Sequence, residues 1–372
     1  MGVADLRSAC SLRRLAVVAL LLTPAAAGAH EIGTTQVQVA LHPDHTWTAS
    51  ITTGPQSLLN KLEVETGRVR SSALAAGQLR TALEAFRPVL AAYIDVRFDG
   101  IPSPSKISIA AFEDPADVTL PSFVEFVATG SFSPEARAMT WRYSLAYSTY
   151  SLQFSAKEGP SSTQWIEGGD VSPSLDVATG ARPPTRTEVI TQYLGLGFEH
   201  ILPRGFDHVL FVLGIFLLTT KIRPLLAQVT AFTIAHSVTL GLTMYGLVSL
   251  PVRIVEPLIA VSIAYVAIEN VMTPTVQPWR PALVFAFGLL HGMGFAGVLH
   301  GLRLPRGEFV PALVSFNVGI ELAQLTVIAA AFLSVAVWHR QKSWYRARIV
   351  IPASLGIAAT GLFWTVQRIG GW

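Results

Sequence analysis

Two patterns of polar and apolar positions divide this chain. In the first part they alternate in short runs: Thr34–Leu41 (TTQVQVAL), Thr46–Thr53 (TWTASITT), Ile94–Phe98, Lys106–Phe112, Phe123–Phe132, Met139–Leu145 and Ser151–Ala156. A period of two predicts half-buried strands, and His42-Pro43-Asp44-His45 between the first two is turn chemistry. Ser72–Tyr93 departs from this, because Leu74, Leu79, Leu83, Phe86 and Leu90 recur at helical spacing and predict one amphipathic helix. Short strands separated by Gly and Pro turns predict a mainly β, sandwich-like domain over residues 30–158 with a single helix inserted. Residues 159–187, rich in Ser, Pro, Thr and Gly, read as a linker.

From Glu188 onward the alternation gives way to long apolar runs. Spans are expected at Phe206–Thr220, Leu225–Leu247, Val252–Met272, Trp279–Leu302, Phe309–Trp338 and Ile349–Val366. The fold class that follows is an α-helical membrane bundle of six spans over residues 188–372. Glu188–Leu202 forms a seventh, partial helix, broken from the first span by Pro203-Arg204-Gly205. Such breaks free backbone groups, and transporters place them beside their binding sites.

Composition sharpens the division. Only 14% of the 372 residues are charged and 51% are hydrophobic, against about 25% charged in a soluble domain. The mean hydropathy is +0.47. Residues 1–29 read as a signal peptide: Arg7, Arg13 and Arg14, then the apolar Leu15–Leu22, then Ala27-Gly28-Ala29. Cleavage there removes Cys10, the only cysteine, and with it any disulfide or thiolate metal site. His30 then becomes an amino terminus, read as an exposed end. The net charge of +3 does not indicate a nucleic-acid partner, because basic residues gather in loops between apolar runs. Lys221 and Arg223, then Arg340, Lys342, Arg346 and Arg348, fall on one side of the bilayer, which puts the N-terminal domain outside by the positive-inside rule.

The candidate chemistry lies inside the spans. Glu199, His200, Asp207 and His208 flank the Pro-Gly break, and His236 and Ser237 lie near the middle of the second span. Glu256 stands near the outer end of the third, with Glu269 and Asn270 at its inner end as an expected exit. His291 is mid-span in the fourth, and Asn317, Glu321 and Gln324 share one face of the fifth at i, i+4 and i+7. Ionisable groups at such depths are costly and mark functional sites. The expectation is a layer of His236, His291 and Glu321 beneath an outer layer of His200, Asp207, His208 and Glu256. Imidazoles and carboxylates without thiolates suit nickel, zinc, cobalt or copper(II). Gly292-Met293-Gly294-Phe295-Ala296-Gly297 matches GxGxxG, but it lies within an apolar helix and follows no strand. Close helix packing explains these glycines, together with Gly288.

HILPRGFDHVLF, FTIAHSVTL, EPLIAVSIAYVAIEN, FGLLHGMGFA and FNVGIELAQ, spread over residues 188–338, resemble the blocks of the HupE/UreJ family of bacterial membrane proteins. The resemblance implies nickel uptake or delivery and matches a branch with an exported N-terminal domain; the expected place is the inner membrane with that domain in the periplasm, where a protein or a metal chelate is a candidate partner. It carries over His200, Asp207, His208, His236, His291, Asn317 and Glu321 as site residues. A fainter similarity to nickel/cobalt permeases rests on the His and Asp-His elements and the His236-Ser237 block. The six residues between His200 and Asp207, including Pro203 and Gly205, depart from that signature. Three functions fit: a secondary transporter or metal-handling protein, an intramembrane zinc-dependent hydrolase, and a membrane-anchored receptor.

Overall fold

A computed structural model describes residues 35–71, 74–113, 123–147, 149–156, 161–180, 185–248, 250–300 and 308–370, with backbone alone at 76, 252 and 295–300. The expected signal peptide and His30 lie outside these residues. The first part folds as β1 (Gln36–Leu41), β2 (Thr46–Thr53), α1 (Pro55–Glu65), α2 (Ala76–Leu90), β3 (Ile94–Phe98), β4 (Ile101–Pro102), β5 (Lys106–Glu113), β6 (Phe123–Ser131), β7 (Ala138–Tyr143), β8 (Tyr150–Ser155), β9 (Ser162–Ile166) and β10 (Leu175–Asp176). One sheet runs β5-β6-β2-β1-β8-β9 and the other β10-β7-β3-β4. Pairing is antiparallel except between β1 and β8.

The alternation read from the sequence selects the inward faces. Val37, Val39 and Leu41 of β1, Trp47, Ala49 and Ile51 of β2, and Val124, Phe126 and Ala128 of β6 are all buried. The two sheets meet where the Phe126 and Tyr143 ring centres lie 6.1 Å apart and where Trp141 Nε1 donates to the Tyr150 hydroxyl at 3.1 Å.

Two expectations for this part need correction. The sandwich carries two helices: α1 begins with Pro55 in its first turn and buries Leu58, Leu59 and Leu62, a face too short to stand out among the strands. The stretch expected as a linker also contributes β9, paired with β8 from Tyr150↔Ile166 to Phe154↔Ser162, and β10, paired with β7. Its polar composition suits an edge strand, whose outer side faces water.

The second part comprises α3 (Arg186–Ile201), α4 (Phe206–Leu218), α5 (Ile222–Met244), α6 (Val252–Met272), α7 (Arg280–His300), α8 (Phe309–His339) and α9 (Arg346–Gly370). A capping box opens α3: the Thr185 hydroxyl accepts from the Glu188 amide, and the Glu188 carboxylate accepts from the Thr185 amide. Among the described residues, α5, α6, α8 and α9 are long and apolar enough to cross a membrane. The α3–α4 pair, bent by 71°, makes a fifth candidate. The described residues thus show four or five candidate spans, against an expectation of six for the bundle. The 13-residue α4 is short of the roughly 20 residues a crossing needs, so with α3 it makes either one broken span or a re-entrant loop. The expected fourth span corresponds to the 21-residue α7, which ends against residues outside the described set. Outward-facing Ile234, Val261, Val318, Leu362 and Val366 are exposed, as a lipid-covered surface requires.

Tyr143 and Tyr150 are buried in the β domain, and burial pushes both phenols upward. A raised folded-state value means that the stabilisation is complete below the ordinary phenol value of about 10 and is lost as pH climbs beyond it. In an alkaline titration followed by tyrosinate absorbance, at least two of the eight tyrosines should ionise only as the domain unfolds. Reversible ionisation of all eight near pH 10 would contradict this packing.

Candidate functional site

Glycines set how closely the helices approach. A Cβ on Gly288 or Gly292 of α7 would run into the main chain of Phe232 or His236 on α5, and one on Gly197 of α3 into the Phe316 carbonyl of α8. Gly319 of α8 meets the Leu194 carbonyl in the same way. Backbones in contact draw the neighbouring polar side chains together: His291 precedes Gly292, and His200 follows Gly197 by three residues.

Four imidazoles gather as a result. His200 of α3, His208 of α4, His236 of α5 and His291 of α7 are each no more than 2% exposed. Ring centres lie 4.7 Å apart for His200–His208, 4.9 Å for His208–His291, and 5.9 Å for both His200–His236 and His208–His236. Phe211, Phe232 and Phe316 wall the cluster. His291 Nε2 lies 3.1 Å from the Ser262 hydroxyl of α6, whereas neither ring nitrogen of His236 has a hydrogen-bond partner. Buried polar groups are normally paired because leaving one unpaired is costly.

Among the described residues, no three His, Cys, Asp or Glu side chains form a ready-made coordination set. The donor chemistry nevertheless fits a metal. Rings bound to one ion at about 2.0–2.1 Å would have centres roughly 5 Å apart, close to the spacings observed. Neutral imidazole is a good ligand for nickel, cobalt, zinc and copper.

The expected carboxylates behave differently. Asp207 (2% exposed) is paired with Arg368 of α9, whose Nη2 donates at 2.8 and 3.1 Å while its Nη1 reaches the Glu256 carbonyl at 3.0 Å. Glu256 thus contributes main chain to this pair. Glu199 pairs with Arg204 at 3.1 Å, and Ser237 donates to the Thr233 carbonyl of its own helix at 2.6 Å. Glu321 and Gln324 accept from Thr230 and Thr233 of α5, each at 3.0 Å, and Asn317 donates to the Leu313 carbonyl at 2.8 Å. Thr230 precedes His236 by six residues, about 9 Å along a helix, so Glu321 stands apart from the expected layer with His236 and His291. Glu269 and Asn270, expected as an exit, are closed by Arg280. Its Nη1 lies 3.0 Å from Glu269 and its Nη2 donates to Asn270 at 3.1 Å, while Asn270 donates to the Gly214 carbonyl at 2.7 Å.

A family model for HupE / UreJ protein matches residues 178–368, just over half of the chain. The chain belongs to the HupE/UreJ family. No curated protein and no solved structure matches it. HupE/UreJ membership implies a membrane protein in nickel or cobalt handling, in a family linked to metal transport or accessory roles and not to hydrolysis. Sequence reasoning missed three residues of this HupE/UreJ bundle: Arg368, Arg280 and Ser262. The sixth span was expected to end at Val366, two residues before Arg368. Its one signal was that the helical pattern continues through it.

Gly292→Leu should force α5 and α7 apart and lower stability by about 1–3 kcal/mol, as overpacking does. Gly195→Ala, where a Cβ meets nothing within 4 Å, should leave it nearly unchanged. Thermal unfolding of the detergent-solubilised protein distinguishes the two, and equal melting temperatures would refute the close α5–α7 contact.

Proposed function

We propose that this chain binds nickel or a similar divalent transition metal inside its helical bundle and passes it through or delivers it across the inner membrane. His200, His208, His236 and His291 are the ligands. The observation that carries this reading is the meeting of four buried imidazoles from four different helices, one with both nitrogens unpaired. Ligands drawn from separate helices can part again when the helices shift, as a transported ion requires. The metal is cargo, and the β domain faces the periplasm, where it meets the metal or a carrier of it.

The hydrolase alternative needs a group placed to activate water at an open metal position. Ser237 is turned to its own helix and Asp207 to Arg368, which weighs against it.

The test is nickel accumulation in cells together with nickel(II) binding to the purified protein, for wild type, His208→Ala and His236→Ala. Losing one of four imidazoles should weaken binding by at least the roughly 10- to 100-fold that losing a ligand's outer hydrogen-bond partner costs, and reduce accumulation accordingly. Equal binding and accumulation by all three would refute the proposal.

A further inference from the structure

The Asp207–Arg368 pair, one residue along α4 from His208, is nearly sealed, with side-chain exposures of 3% and 7%. Asp207 immediately precedes His208, whose ring touches those of His200, His236 and His291. A divalent ion among these rings would therefore arrive about 9 Å, by positions along α6, from a carboxylate that a guanidinium already holds. Arginine is a permanent cation in proteins. Arg368 has other resting contacts: the Glu256 carbonyl at 3.0 Å and the Trp364 ring, 5.5 Å to its centre.

On the reading of the four histidines as a divalent-cation site, we infer that Arg368 is a resident cation that sets the affinity of that site. In the empty site it neutralises Asp207. An entering dication is attracted by the carboxylate and repelled by the guanidinium through the low-dielectric interior, without touching either. Arg368 thus keeps binding weak enough for release, and the last helix reports occupancy of a cluster to which it contributes no imidazole. It is a positioning residue and not a ligand.

Charge counting makes this testable. Beside the rings, Asp207 and Arg368 sum to zero. Arg368→Gln leaves the site one unit more negative, Asp207→Asn one unit more positive, and the double variant restores zero. Nickel(II) binding to the purified full-length protein should be about tenfold tighter in Arg368→Gln, about tenfold weaker in Asp207→Asn, and within about threefold of wild type in the double variant, in the usual range of coupling between two sites. A purely structural Arg368 predicts the reverse for Arg368→Gln: equal or weaker binding in a less stable protein. That result, with the wild-type affinity still lost in His236→Ala, overturns the inference and leaves the metal reading standing. If Arg368→Gln does not fold, the step from Asp207→Asn to the double variant makes the same test, since removing Arg368 must there recover affinity; no recovery overturns the inference. Absence of nickel(II) and cobalt(II) binding in wild type overturns the inference and the metal reading together.

Discussion

A bundle with an apolar interior and no water must match every buried charge within itself. This chain does so at two levels. Near one end Asp207 meets Arg368, and near the other Glu269 meets Arg280, with Asn270 joining the second pair to the main chain of α4. Positions along α6 give the spacing. The Glu256 carbonyl receives Arg368, Ser262 contacts His291 six residues on, and Glu269 receives Arg280 seven residues further. At 1.5 Å per residue the histidine level lies about 9 Å from the first pair and about 10 Å from the second. The fixed charges are thus compensated at the ends, and the interior between them holds the four imidazoles.

Steric contact does the rest of the positioning. The rings converge because the helices bearing them touch along glycine faces: α5 against α7 at Gly288 and Gly292, and α3 against α8 at Gly197 and Gly319. The break at Leu202–Gly205 turns α3 by 71° from α4. That bend lets His200 and His208, eight residues apart on a folded-back path, bring their rings to 4.7 Å. A straight helix through both would separate them by about 12 Å along its axis.

Much of this was legible in the sequence. Period-two alternation marked most strands, and histidines inside apolar runs marked the site, because a polar group in such a run has few structural excuses. Distances between helices were not legible. Periodicity placed Asn317, Glu321 and Gln324 on one face but could not say that this face meets Thr230 and Thr233 instead of His236. Arg280 opens α7 and Arg368 lies in the last turn of α9, and pattern alone does not reveal which carboxylate each one meets. In the soluble part, the Ser- and Pro-rich stretch concealed β9 because an edge strand needs only one protected side.

The β domain is held at the mouth of this arrangement. Arg204, in the break between His200 and Asp207, donates to Thr149 of the β domain at 3.0 Å and pairs with Glu167 at 3.5 Å and with Glu199 of α3 at 3.1 Å. Trp165 of β9 packs against the cluster formed by Val189, Tyr193 and Phe316. The half-exposed ion pairs contribute little by themselves, so apolar packing provides most of the hold and the arginine sets the register. A residue fixed from the β domain on one side and from α3 on the other leaves the bend little freedom. The geometry that joins His200 to His208 is thus braced by a domain none of whose rings is among the four in the cluster.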